Sequence, residues 1–161
     1  MIKLNRKMEQ EIHLLQCSDN ELVLKKVDEF SMDVFPKIKL VDNQLVVVDY
    51  NNQLEDNMLN YEWITSTYKD FTGYEASCNK MRLSDYIHLE GIPIWPFMIN
   101  YLDRLKRELR ENYPQFGFTI IVQLQDVDTE IRFRVTRENE IGWLVEDLDE
   151  YSDDAILVCT I

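Results

Sequence analysis

Phe118-Thr119-Ile120-Ile121-Val122-Gln123-Leu124-Gln125, followed by Asp126-Val127-Asp128 and then Thr129-Glu130-Ile131-Arg132-Phe133-Arg134-Val135, is the stretch that decides the fold. Phe118, Ile120, Val122 and Leu124 alternate with Thr119, Ile121, Gln123 and Gln125. Ile131, Phe133 and Val135 alternate in the same way with Glu130, Arg132 and Arg134. A period of two is that of a β-strand, whose successive side chains point to opposite faces. The acid-rich turn between the two runs predicts an antiparallel hairpin with one buried face and one largely wet face.

Working outward, residues 155–161 supply another strand, through Ala155-Ile156-Leu157-Val158-Cys159. On the other side, Pro114 closes a helix predicted over 94–113. Ile94, Met98, Tyr101, Leu102, Leu105 and Leu109 form its apolar stripe, and Arg104, Lys106, Arg107 and Arg110 lie among its polar positions. Pro93 and Pro96 suit its entry and first turn. The segment 37–50 reads as a second hairpin around Asp42-Asn43, β-branched after the turn. Helical spacing of Leu54, Met58, Tyr61, Ile64 and Tyr68 predicts a helix over 54–70, with Gly73 marking the break after it; the aromatic-rich run from Tyr61 to Phe71 reads as core, with a partner-facing surface as the alternative. Residues 74–93 read as loop with a short helix near Ser84–Leu89. Ser18 or Asp19 can cap a helix carrying Leu22, Leu24, Val27 and Phe30, and the spacing of Ile2, Leu4, Met8, Ile12 and Leu15 predicts a helix over 2–16. Helices early and an antiparallel sheet late give an α+β class: an antiparallel β-sheet with helices packed on one face, as a single domain over residues 1–161. The length suffices for a core without metal or disulfide support.

Several function classes are disfavoured. Thirty acids against seventeen bases leave a net charge of −13, a field that repels phosphate backbones and anionic lipid. No direct nucleic-acid contact and no membrane contact are expected, and a cytoplasmic location follows from the lack of a signal-like apolar segment. Cys17, Cys78 and Cys159 have neither disulfide nor zinc spacing and read as free structural thiols. His13 and His88 are far apart, and no Gly-x-Ser-x-Gly, phosphate-binding Gly-rich loop or His-Glu-x-x-His accompanies them. An enzyme is therefore not expected, nor a cofactor or metal. The run 146–154 is acidic but has no glycine and lacks the EF-hand spacing.

The acids are not spread evenly. Between Asp126 and Asp154 stand acids at 126, 128, 130, 138, 140, 146, 147, 149, 150, 153 and 154, against Arg132, Arg134 and Arg137. Trp143, Leu144, Leu148 and Tyr151 are interleaved with them. Carboxylates speed encounter with a basic protein surface and aromatics supply anchor area, so the expected partner-binding residues are Glu138, Glu140, Trp143, Glu146, Asp147, Asp149, Glu150, Tyr151, Asp153 and Asp154. The alternative is a solvated loop with Trp143 and Leu148 in the core. Whether the arginines of the 94–113 helix pair with these acids is open.

The string Arg137-Glu138-Asn139-Glu140-Ile141-Gly142-Trp143-Leu144-Val145-Glu146-Asp147-Leu148-Asp149-Glu150-Tyr151 resembles the tails of small bacterial immunity proteins, as do the chain's size and acidity. That resemblance implies an inhibitor of a cognate toxin domain, often a cationic nuclease, bound through an acidic face. The alternative is an acidic, DNA-mimicking or regulatory interaction module.

Overall fold

The computed structural model describes residues 1–15, 35–50, 52–55, 59–85, 95–125, 128–140 and 143–161. In chain order these form β1 (Ile2–Leu4), α1 (Arg6–Leu15), β2 (Ile38–Val41), β3 (Leu45–Val48), α2 (Tyr61–Tyr68), α3 (Phe71–Cys78), β4 (Lys80–Arg82), α4 (Trp95–Asn112), β5 (Phe118–Gln125), β6 (Asp128–Val135) and β7 (Ala155–Thr160). Short 3₁₀ turns occupy Leu83–Asp85 and Leu148–Glu150.

The alternating stretch forms the centre of a five-stranded sheet, ordered β1-β7-β5-β6-β4, with every neighbouring pair antiparallel. Phe118 faces Val135 at one end of the β5–β6 ladder and Gln125 faces Asp128 at the other. On the first face Phe118, Ile120, Val122, Ile131, Phe133, Leu157 and Cys159 are buried in one cluster with Met8 of α1 and with Met98, Tyr101, Leu102, Leu105 and Leu109 of α4. Each large apolar side chain so buried stabilises the fold by about 1.5–3 kcal/mol, which makes this stripe the main attachment of α4. The chain is thus α+β, with the sheet-packed helices on its first face.

The second hairpin stands as its own two-stranded sheet. Three residues, Asp42 to Gln44, join its strands, and Asp42 and Asn43 both have left-handed φ, 49° and 56°, a backbone that aspartate and asparagine accept more readily than most residues. Val46 and Val48 face the main core, whereas Leu45 and Val47 face Ile64, Phe71 and Tyr74. Strand β3 is therefore buried on both sides, which accounts for its unbroken valine run.

Among the described residues no backbone ladder joins the two sheets. Side chains of α3 and of its C-cap residue Asn79 do so instead. Glu75, fully buried, accepts hydrogen bonds from Val46 N of β3 (3.0 Å) and Val135 N of β6 (2.8 Å), and from both terminal nitrogens of Arg137 at 2.8 Å. Asn79 accepts from Val48 N and donates to the carbonyls of Val46 and Phe133. Edge groups that would otherwise be orphaned in the interior are satisfied this way.

Three expectations are corrected. The helix predicted over 2–16 is split: Asn5 caps α1 by accepting from Met8 N, and Ile2–Leu4 pair with β7 instead. Among the described residues the helix predicted over 54–70 covers Tyr61–Tyr68, capped by Asn60, and ends where Lys69 turns to a φ of 69°. Residues 71–82, taken as break and loop, hold α3 and β4, because Asp70 re-caps the chain through Gly73 N. Gly73 therefore lies inside a helix. A Cβ there would stand 2.5 Å from the Tyr68 carbonyl oxygen, so only glycine allows the two helices to meet this closely. The helix expected after Ser18, residues 86–89 of the short helix near Ser84, Cys17 and His88 lie outside the described residues.

Candidate functional site

The second face of the sheet is not wet throughout. Ile121 of β5 and Ile156 of β7 are buried there beneath Leu148, with Leu144, Tyr151 and Val158 packed around them. The apolar members of the acid-rich segment are the cover of this face, and the segment is held against it at several points.

Asn5 is the principal holder. It is 2% exposed, and its Oδ1 accepts from Met8 N and Ile156 N while its amide donates to the Asp154 carbonyl at 2.7 Å. Weaker bonds run from the same amide to the carbonyls of Leu148 and Tyr151. Asp149 accepts from Arg6 N at 2.8 Å and pairs with Arg6 Nε at 3.1 Å, which places a carboxylate at the N-terminus of α1, where the helix favours it. Lys7 donates to the Asp153 carbonyl. Asp147 caps the 3₁₀ turn through Asp149 N, and the Tyr151 hydroxyl accepts from Val145 N. At the near end Glu140 accepts from the Thr72 amide at 2.7 Å and from the Thr72 hydroxyl, and lies 3.6 Å from Arg137.

The ten residues expected to bind a partner therefore differ in what they already hold. Glu140, Asp149 and Asp154 have partners within the chain, the last through Gln123 at 2.9 Å. Glu138, Glu146 and Glu150 are exposed and have no partner among the described residues. The carboxylates of Asp147 and Asp153 are exposed with only local hydrogen bonds, and Tyr151 is half-buried. Trp143, weighed as core, is 36% exposed, and the Arg132 guanidinium lies 4.6 Å from its ring centroid. Beside it Val145 is 43% exposed, a residue that sequence reasoning did not single out.

The open question about α4 has a geometric answer. Its apolar stripe lies on the first face of the sheet and the acid-rich segment lies on the second. Lys106 pairs with Asp103 of its own helix, and Arg104 sits 4.5 Å from the Phe35 ring centroid. None of the ion pairs among the described residues joins α4 to the acidic segment.

Behind Trp143 the second face is charged. Glu130 is almost buried and binds Arg82 at 2.7 Å, Lys80 at 3.5 Å and Arg132. Burial alone would raise its pKa, but the Arg82 hydrogen bond and the Arg132 charge outweigh that and hold the carboxyl below its usual value. Burial pushes up both the Tyr74 phenol and the Cys78 thiol, which hydrogen-bond each other. That thiol is thereby kept from the thiolate form a reactive cysteine needs. His13 is exposed on α1. Among the described residues no three metal-donor side chains gather at one point, and no helix is long and apolar enough to cross a membrane.

Residues 3–161 match the family described as "Uncharacterized protein PM0498 family". The chain belongs to that family. A relative in Pasteurella multocida (strain Pm70), "Uncharacterized protein PM0498", is 26% identical over 135 residues, covering 80% of this chain and 77% of the relative. No solved structure matches. Neither description speaks of toxin immunity.

Asn5, Arg132 and Val145 escaped the sequence reading. Only Asn5 had a legible signal: Asn directly before Arg6-Lys7-Met8 is a helix-capping residue, but the apolar spacing of Ile2 and Leu4 outweighed it.

Proposed function

We propose that this chain is a binding protein that captures a basic protein through the acidic segment on the second face of its sheet, and that the partner is a bacterial toxin domain which it neutralises. The observation that carries the reading is the pairing of Trp143 and Val145, both partly exposed, with Glu138, Glu146 and Glu150, which have no partner among the described residues. Trp143, Val145, Glu146 and Glu150 belong to the cover anchored by Asn5, Leu148 and Tyr151, and Glu138 precedes it in the chain. Preorganisation lowers the ordering cost of association, exposed carboxylates steer a cationic partner, and a half-exposed tryptophan provides an anchor. The resemblance to immunity proteins supplies the toxin; the physical argument supplies only a basic protein.

The test is an affinity capture from lysate of the source organism followed by calorimetry with the captured protein. A basic toxin domain whose affinity falls with added salt, and falls by about tenfold or more in the triple variant Glu138→Lys, Glu146→Lys, Glu150→Lys, is the expected result. Unchanged affinity in that triple variant moves the interface elsewhere, and a captured partner without a basic surface ends the toxin reading.

A further inference from the structure

Arg134 differs from the other arginines around it. Arg82 and Arg132 bind Glu130, and Arg137 binds Glu75, whereas Arg134 has no carboxylate within ion-pairing distance among the described residues. Among the described residues its Nε is buried without an acceptor, and its hydrogen bond to the Val135 carbonyl is long at 3.4 Å. Glu75 and Glu140 act on it only at longer range and are themselves bound to Arg137. Burial holds its guanidinium below its usual pKa, the effect of a charge taken from water without full compensation. In a chain of net charge −13, a half-buried cation left short of acceptors is the anomaly that calls for an account.

Arg134 lines a groove of about 200 Å³ on the second face of the sheet. Strand register places Thr160, Thr119 and Arg134 side by side across β7, β5 and β6, and Val158 and Ile121 side by side in the next row. Leu144 and Leu148 form the wall, Lys3 reaches in from β1, and Glu146 stands on the rim. The groove therefore pairs an apolar floor with two cations, one rim carboxylate and the threonine hydroxyls. Pockets for drug-sized ligands span roughly 300–1,000 Å³, so this one suits a smaller molecule.

We propose that this groove binds a small organic monocarboxylate, its charged end on Arg134 beside Thr119 and Thr160 and its apolar body on Ile121, Val158 and Leu144. A guanidinium matches a planar carboxylate through two parallel hydrogen bonds, and the apolar floor rewards a hydrocarbon body. A single negative charge fits, since a dianion would meet Glu146 and the overall negative field. The groove shares Val145 and the rim carboxylate Glu146 with the partner-binding surface, but Arg134, Thr119 and Thr160 are not part of that surface and the proposal does not depend on it.

The experiment is a titration of the full chain with sodium benzoate, followed by two-dimensional NMR of the backbone amides and the arginine Nε–H groups. Saturable shifts at Thr119, Ile121, Val158, Thr160 and Leu144, together with movement of the Arg134 Nε–H signal, are expected. Benzyl alcohol, the uncharged analogue, and the Arg134→Gln variant should each bind at least about tenfold more weakly, the loss of a charge-assisted hydrogen bond. Should Arg134→Gln fail to fold, Lys3→Gln at the sheet edge serves instead, with a several-fold loss for benzoate and none for benzyl alcohol. The proposal is overturned by the absence of saturable shifts at millimolar benzoate, by equal binding of benzyl alcohol, or by tighter binding of inorganic phosphate.

Discussion

Glu75 and Glu146 are glutamates of the same acidic chain, and they sit at opposite ends of its use of carboxylates. At the junction of the two sheets Glu75 is wholly buried, and each of its oxygens takes one backbone amide and one nitrogen of Arg137. On the second face Glu146 is exposed and has no partner among the described residues. The first is held by donors that water could not replace. The second keeps its hydration and its long-range field. A count of acids treats the two alike, although one holds the architecture together and the other is available to a partner. The acidic segment contains both kinds within a few residues, since Glu140 and Asp149 anchor it while Glu138, Glu146 and Glu150 project from it.

The largest effect expected from this comparison is at the junction. Glu75→Gln leaves the Arg137 guanidinium short of its counter-charge in a largely buried site, and should lower the unfolding free energy measured in urea by about 3 kcal/mol. A loss below about 1 kcal/mol would mean that the two sheets are held by their apolar contacts alone, and the contrast with Glu146 would collapse.

An intermediate case is Glu130, almost buried but bound by three cations. Its pKa is lower in the folded chain than its usual 4.5, so its contribution to stability is present above that value and is lost as pH falls through the lowered one. The stability gap between the parent and Glu130→Gln should accordingly be constant near neutrality and shrink on acidification below about pH 4.5. A gap independent of pH would show that the carboxylate acts there by shape rather than charge.

The smallest effect belongs to the exposed set. Glu146→Gln with Glu150→Gln should change the unfolding free energy by less than about 0.5 kcal/mol, because neither side chain leaves a donor unpaired. A larger change would place these carboxylates among the structural ones and remove them from the proposed binding surface.

Much of the architecture was legible in the local pattern. Alternation in 118–135 and the apolar run 155–161 specify strands, and the stripe from Met98 to Leu109 specifies α4, because one period selects one buried face. The turn at Asp42-Asn43 was equally plain, since few residues other than glycine accept the left-handed backbone it requires. What tertiary structure decided was which face each element meets and which polar groups are used up there. Ile121 stands in the polar phase of β5, yet it is buried because Leu148, far along the chain, returns to cover it. Ile2–Leu4 carry a helical spacing and become a strand because β7 offers them hydrogen-bond partners. The acidic segment shows the same division. Its charge and its aromatics could be read residue by residue, but the pairing of Glu140 with Thr72, of Asp149 with Arg6 and of Asp154 with Gln123 depends on groups distant in sequence. Periodicity is a local property of the chain, whereas the satisfaction of a buried or half-buried polar group is a property of its neighbours in space.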